Sequence, residues 1–432
     1  MPALHVPPKS RRVARRPRRG VGLALAGGGP LGGIYEVGAL VALADSLEGV
    51  DVNDLDVYVG VSSGSYVAAA LANGISPAQM YRLFIDDGAD AALTPQLFLR
   101  PALSEFGRRM RTLPSLAATA LWRRVREPLK GSTMESLATL SRALPVGLFD
   151  NAAIDRFLAG LLSAPGRSND FRALRTRLYL VATNLDTGAP VVFGARGHDH
   201  VPISRAIGAS SALPGLFPPV EIDGQHFVDG ALNKTLHASI ALDEGVGLLL
   251  CVNPLVPYDG RAASNASRRS RSPDRLEEGG LPLVLSQTFR AIIHSRMRVG
   301  MESYRAQYPR ADVVLFEPHR EDAQMFFANP FSYRQRARIC ALAFTNTRRD
   351  LVARAGELAP KLEKHGIRLR RDRLGDPHRH VADAVRDPRP LHAHPGRHAS
   401  VRSAARDLKR VLDALERHLS DKSYRFPRNR IA

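Results

Sequence analysis

The chain has 432 residues, 44% of them hydrophobic, enough for one large α/β domain with extensions or for two domains. No apolar run reaches the roughly 18 residues of a membrane span, and residues 1–20 are Pro- and Arg-rich without the apolar centre of a secretory signal. The formal net charge of +19 sits at the ends: residues 1–20 hold seven Lys/Arg and no acid, and residues 361–432 hold 19 Lys/Arg against nine Asp/Glu. The body between them is nearly neutral, so the charge belongs to tails that attract anionic lipid or nucleic acid, or that simply solubilise. Two cysteines, Cys251 and Cys340, are too few for a disulfide framework. They read as buried thiols of a reducing compartment, and the expected location is cytoplasmic, with peripheral membrane contact.

In chain order, residues 20–26 form a first buried strand that runs into Gly27-Gly28-Gly29-Pro30-Leu31-Gly32-Gly33, followed by a helical pattern from Ile34 to about Leu47. Gly27, Gly29 and Gly32 fill G-x-G-x-x-G between a strand and a helix, the dinucleotide-binding fingerprint. Two residues argue against that cofactor. The next strand ends in Gly60-Val61-Ser62 instead of an acid for a ribose, and Pro30 removes an N–H from the helix start. The alternative is an oxyanion hole, since glycines let bare backbone N–H groups converge on one point.

The strand over 55–61 and the alanine-rich helix after it enclose Gly60-Val61-Ser62-Ser63-Gly64, a G-x-S-x-G nucleophile elbow. A serine in so tight a turn projects its hydroxyl above the sheet, and Gly60 and Gly64 let strand and helix approach closely. Residues 76–90 read as a helix starting at Pro77. Within residues 91–150, the segments 99–101, 106–111 and 116–126 then mix apolar residues, the only tryptophan (Trp122) and seven arginines (100, 108, 109, 111, 123, 124 and 126). Such a segment is either a lid or membrane-contact element or an ordinary solvated helix.

A helix over 154–162 and a strand pair over 178–183 and 190–193 come next. Residues 207–220 read as a proline-rich packed loop near the site, and a hairpin over 221–228 delivers Asp229-Gly230-Ala231. A carboxylate before glycine at a strand end can face a catalytic edge, although Asp-Gly is also a common turn. Further expectations are a helix over 235–242, a buried strand over 245–252 and a polar loop over 264–273. They continue with a long helix over 281–304, a strand over 311–317 and a closing helix over 333–358. Residues 368–398 read as disordered, with histidines 378, 380, 392, 394 and 398 scattered there and no metal assigned to them. Ser400 caps an amphipathic heptad-type helix over 400–419.

The blocks 26–32, 60–64, 182–188, 209–219 and 228–231, in this order, resemble the patatin-like phospholipase family, and 297–338 looks similar to its bacterial members. The resemblance implies a three-layer α/β/α fold with a mostly parallel central sheet. It implies a serine–aspartate dyad in which Ser62 is the nucleophile and Asp229 takes its proton. Gly27, Gly28 and Gly29 would form the oxyanion hole, supported by Gly32, Gly60, Gly64, Gly230 and Ala231, and no metal or cofactor is implied. Its substrates would be acyl esters of membrane lipids, cleaved as by a phospholipase A or a lysophospholipase. His226 and His237 flank Asp229 and are read as structural, in a strand and a helix respectively. Two positions depart from the family pattern: Leu31 stands where a basic residue is usual, and Lys234-Thr235 follow Asn233 where a proline is frequent.

The expected organisation is a basic disordered arm over 1–20, an acyl hydrolase domain over 21–360 carrying the insert 91–150, and a basic tail over 361–432. An anionic membrane surface, met through the insert and tails, is the expected partner besides the lipid substrate, and no nucleic acid is expected. The competing readings are a Rossmann-type nucleotide-binding enzyme, which leaves Ser62 and Asp229 unexplained, and a non-catalytic membrane adaptor acting through the tails.

Overall fold

The computed structural model describes residues 20–85, 100–102, 107, 111, 122, 146–259, 276–327 and 335–386. The chain divides into two compact units, Met1–Asp387 and Pro388–Ala432. The second unit, and with it the helix expected over 400–419, lies outside the described residues. So do nearly all of the basic arm, most of the Arg-rich insert and the loop 264–273.

Among the described residues ten strands follow one another as β1 (Val21–Leu25), β2 (Leu47–Glu48), β3 (Val57–Val61), β4 (Arg177–Asn184), β5 (Pro190–Phe193), β6 (Val220–Ile222), β7 (Gln225–Asp229), β8 (Leu248–Val252), β9 (Asp312–Phe316) and β10 (Arg368–Leu369). Eight of them make one sheet in the order β6-β7-β4-β3-β1-β8-β9, with β5 also paired to β4. The pairs β1–β3, β1–β8, β3–β4 and β8–β9 are parallel, and β4–β5, β4–β7 and β6–β7 are antiparallel. This is the mostly parallel α/β sheet expected from the alternation of buried strands and helices.

The strands are apolar on both faces because both faces are covered. Leu23, Leu25, Tyr58, Leu248, Leu250 and Val252 point into one core, under helices α1 (Gly29–Ser46) and α2 (Ser63–Ala72). Ala24, Val57, Val59, Val61, Leu249 and Cys251 point into the other. The remaining helices are α3 (Pro77–Phe84), α4 (Ala152–Leu162), α5 (Ile203–Ser210), α6 (Ser239–Asp243), α7 (Gly280–Gln307), α8 (Arg336–Ala353), α9 (Ala355–Glu363) and α10 (Val381–Arg386), with two single-turn segments unlabelled. Helix α8 joins α1 on the first face, and α6 and α7 cover the second with Ala241, Leu242 and Tyr304. Helices α1 and α8 touch at Gly38, where a Cβ would lie 2.3 Å from the Cys340 carbonyl oxygen. Both cysteines are fully buried, free thiols.

Several boundaries differ from those read in the sequence. Helix α1 starts at Gly29, not Ile34, because Gly28 serves as N-cap and Pro30 suits the first turn. The stretch expected to be irregular after residue 207 is helical as far as Ser210. The closing helix is broken at Arg354, which leaves helical geometry while its guanidinium bonds Asp350 Oδ2 and the Leu315 carbonyl.

The largest correction concerns the end of the α/β body, which continues past residue 360 to Arg386. β10 pairs with β2, Val381 and Val385 are buried, and Arg379 holds Asp45 of α1 through two hydrogen bonds of 2.6 and 2.5 Å. Residues 368–386 are therefore ordered structure and not part of a disordered tail. The Arg/His/Asp composition that reads as disorder supplies the ion pair that anchors them.

At the insert, Arg100–Ala102 and Leu148–Asp150 run antiparallel, with a Pro101–Phe149 bridge, and Leu148 and Phe149 donate to the Gly215 and Leu216 carbonyls. Residues 100–102 and 148–150 are thus held together against the loop that follows α5.

Candidate active site

β3 and β7 are brought together by β4. Residues 180–183 of β4 pair with β5, residues 177–181 with β3, and residues 182–184 with β7. A strand has two edges, and the overlaps place β5 on one and both β3 and β7 on the other. Val61 pairs with Val181 and Asp229 with Ala182, so the carboxyl ends of β3 and β7 meet head-on at consecutive residues of β4. Gly230 allows the meeting, since a Cβ there would lie 2.1 Å from the Val181 carbonyl oxygen.

Ser62 occupies the turn between β3 and α2 with φ 52 and ψ −123, a region that L-residues avoid. The tightness of the elbow explains its glycines: a Cβ on Gly60 would lie 2.6 Å from the Gly64 carbonyl oxygen, and one on Gly64 2.6 Å from that of Leu25. In this conformation the Ser62 hydroxyl donates a 2.6 Å hydrogen bond to Asp229 Oδ2. The other carboxylate oxygen, Oδ1, accepts the Ala231 N–H at 2.8 Å. The Asp229 backbone is held by its own N–H to the Ala212 carbonyl and by Thr183 Oγ1 donating to its carbonyl. Ser62 and Asp229 are both buried, at 7% and 2% exposure. Burial pushes the Asp229 carboxyl up to about 6, and the bonds from Ser62 and Ala231 only partly oppose the shift.

Ser210, the last residue of α5, is a participant that the sequence reading passed over. Its hydroxyl accepts the Ser62 N–H at 2.9 Å and donates to the Val181 carbonyl at 2.6 Å, and it is fully buried. It therefore clamps the strained elbow to the same residue of β4 that pairs with Val61. The signal was present in the stretch 209–219, but only tertiary placement shows which serine is used.

The three loop glycines have different surroundings. Gly27 donates its N–H to the Thr235 carbonyl at 3.2 Å, so that donor is already engaged. Its role is clearance, because a Cβ there would stand 2.9 Å from Ala231 Cβ and 3.0 Å from Ser62 Cβ. The N–H groups of Gly28 and Gly29 have no acceptor among the described residues. They belong to the N-terminus of α1, where helix geometry leaves donors free and the macrodipole favours an anion. Gly29 is exposed with φ +65, and the Gly32 N–H returns to the Gly28 carbonyl, closing the first turn. Leu31 is buried in the core at 6% exposure, so this position contributes packing where a basic side chain would carry a charge.

No histidine hydrogen-bonds Ser62 or Asp229 among the described residues. His226 lies in β7 as expected. His237, expected on a helix, instead precedes α6 in a positive-φ conformation. It is buried, and burial, aided by Lys234, lowers its imidazole to about 4 in spite of a bond with the Gly230 backbone. It is neutral at pH 7. No group of three or more metal-ligating side chains occurs among the described residues.

Uncharacterized NTE family proteins of Mycobacterium tuberculosis and Mycobacterium bovis are 26% identical to this chain over 246 residues, which cover 56% of this chain and 31% of theirs. This chain therefore spans about a third of the length of those relatives. Among solved structures, VipD from Legionella pneumophila aligns with TM-score 0.36 and 16% identity, covering 78% of this chain and 67% of that one. The type III effector ExoU of Pseudomonas aeruginosa aligns with TM-score 0.33 and 15% identity, covering 78% and 53%. The family model for patatin-like phospholipase matches residues 23–242, half of the chain, and the chain belongs to that family.

Proposed function

We propose that this protein is a serine acyl hydrolase that cleaves carboxylic ester bonds of membrane lipids, of phospholipase A or lysophospholipase type, through a Ser62–Asp229 dyad. The observation that carries the reading is the 2.6 Å hydrogen bond from the hydroxyl of a strained, elbow-borne serine to a buried carboxylate. Family membership supports the ester-hydrolase class.

In the reaction, Asp229 accepts the Ser62 proton as Oγ attacks the ester carbonyl. A base needs hydrogen-bond reach and a suitable pKa, and a carboxyl raised to about 6 is ionised at pH 7 yet more basic than a solvated one. The tetrahedral oxyanion is received by the N–H groups of Gly28 and Gly29 and by the free N–H groups that open α2 after Ser62. Protonated Asp229 then hands its proton to the departing alcohol. Water, deprotonated by the same carboxylate, cleaves the acyl-serine ester and restores the Ser62 hydroxyl. Gly27 takes part as the clearance that lets the loop lie against Ser62, and no metal is required by these steps.

The test is acyl release from a panel of phospholipids, lysophospholipids and neutral lipids, comparing the wild type with Ser62→Ala. Release by the wild type alone supports the reading and identifies the lipid class. Equal release by both proteins refutes it.

A further inference from the structure

Helix α7 carries large apolar side chains on the side turned away from the protein. Its inward side is set by Met297 and Tyr304, both buried at 8% exposure, and by Arg290, which lies over the Phe326 ring and donates to the Val256 carbonyl. At 100° per residue those positions share one side of the helix. On the opposite side, Leu281, Val284, Leu285, Ile292 and Val299, with Phe289 on the flank, are between 41% and 70% exposed. A helix on a protein surface normally turns polar residues outward, whereas here the outward face is mainly apolar over about 27 Å, interrupted by Thr288 and Ser295. Contiguous exposed apolar surface of this kind marks an interaction site.

The stripe borders the catalytic edge. Exposed Arg296 donates from Nη1 to the Leu232 carbonyl at 3.5 Å, and Leu232, 38% exposed, is three residues beyond Asp229. Leu185 at the end of β4, Leu213 after α5 and Leu148 beside Gly215 are 50%, 38% and 48% exposed at the same edge. The charge along this face is divided. Glu277 and Glu278 are exposed just before the helix, beside Leu281, whereas its other end, next to Leu232, carries exposed Arg296, Arg298 and Arg305 against Glu302 alone. Anionic headgroups would neutralise the arginines at the catalytic end.

We propose that the outer face of α7, together with the leucine rim, docks this protein on the surface of an anionic phospholipid bilayer. The apolar stripe would enter the acyl–headgroup boundary and the arginines would stay at headgroup level. Binding itself does not depend on the acyl-hydrolase reading, but the purpose given to it, presenting a membrane ester to Ser62, rests on that reading.

The experiment is flotation of the full chain with vesicles of phosphatidylcholine and phosphatidylglycerol, at low salt and at about 0.5 M salt, where attraction by the basic tails is screened. The wild type is compared with the triple variant Leu285→Ser, Phe289→Ser, Ile292→Ser, whose side chains are exposed. Hydrolysis of a soluble short-chain nitrophenyl ester, thermal melting and the mass from light scattering are measured alongside. The expected result is at least a tenfold loss of vesicle-bound variant at high salt, with melting, mass and soluble-ester hydrolysis unchanged. Equal flotation of the two proteins, or no flotation of the wild type, overturns the proposal. So does a wild-type dimer that the variant converts to monomer with flotation unchanged. If flotation behaves as expected while neither protein hydrolyses the soluble ester, the docking face stands and the catalytic reading falls.

Discussion

Ser62 Oγ donates to Asp229 Oδ2 at 2.6 Å across 167 residues of sequence, because β3 and β7 end against consecutive residues of one edge of β4. This pair is thus a product of sheet register, and the properties of its carboxylate follow from where that register puts it. Asp229 is 2% exposed and its carboxyl is raised from 3.8 to about 6, chiefly by burial.

The pH dependence follows directly. In the proposed role of base Asp229 must be ionised, so kcat/KM for a soluble ester should rise with unit slope up to about pH 6 and level off above it. Initial rates between pH 4 and 9 check this, and a rise centred on an ordinary carboxylate value would remove Asp229 from the role. Asp229→Asn should lower turnover by about 10²–10⁴-fold.

The same substitution should stabilise the fold. The folded state binds the proton more tightly than the unfolded state, so this group favours folding below about pH 4 and loses that contribution as pH rises through about 6. At pH 8 Asp229→Asn should therefore be more stable than the wild type by up to about 3 kcal/mol, and the gain should vanish near pH 4. The asparagine can keep the Ala231 N–H on its oxygen and offer its amide to Ser62. Denaturant unfolding at the two pH values reads the difference.

Ser210 is predicted to be a positioning residue. Ser210→Ala removes the acceptor of the Ser62 N–H and the donor to the Val181 carbonyl, leaving two buried backbone groups unpaired. The expected cost is about 1–3 kcal/mol of stability. Relaxation of the elbow should lower kcat by about tenfold with KM little changed, since the serine is misplaced while the lipid contacts remain. Steady-state kinetics on the soluble ester separate the two parameters.

The extension of the body to Arg386 gives a prediction far from the chemistry. Arg379 and Asp45 are paired at 10% and 7% side-chain exposure. Arg379→Ala leaves a buried carboxylate without this partner and should cost about 3–5 kcal/mol, measured by denaturant unfolding. A loss below about 1 kcal/mol would show that residues 368–386 contribute little to the fold.

What the sequence disclosed and what it hid divide along a physical line. Strands covered on both faces read as continuous apolar runs, so β1, β3, β4 and β8 were visible, as were the turns whose glycines admit close approach. Ser62 and Asp229 stood out because each lies at a strand end in a turn of marked composition. Ser210 was hidden, since a serine in an apolar stretch shows its partner only once α5 is laid against β4. The engagement of the Gly27 N–H was equally hidden, because it depends on the Thr235 carbonyl arriving from a distant loop. Residues 368–386 were misread because composition reports average polarity, whereas their order rests on particular tertiary contacts: the ion pair with α1, a two-residue strand pairing, buried Val381 and Val385, and the Arg82 and Arg348 guanidinium groups on their carbonyls.

The most direct measurement of the central claim is covalent labelling with a fluorophosphonate, mapped by mass spectrometry on the wild type, Ser62→Ala and Asp229→Asn. Activation of Ser62 by a buried carboxylate predicts stoichiometric modification of Ser62 in the wild type, none in Ser62→Ala and strongly slowed modification in Asp229→Asn. Undiminished labelling of Ser62→Ala, or equal rates for the wild type and Asp229→Asn, would contradict the dyad.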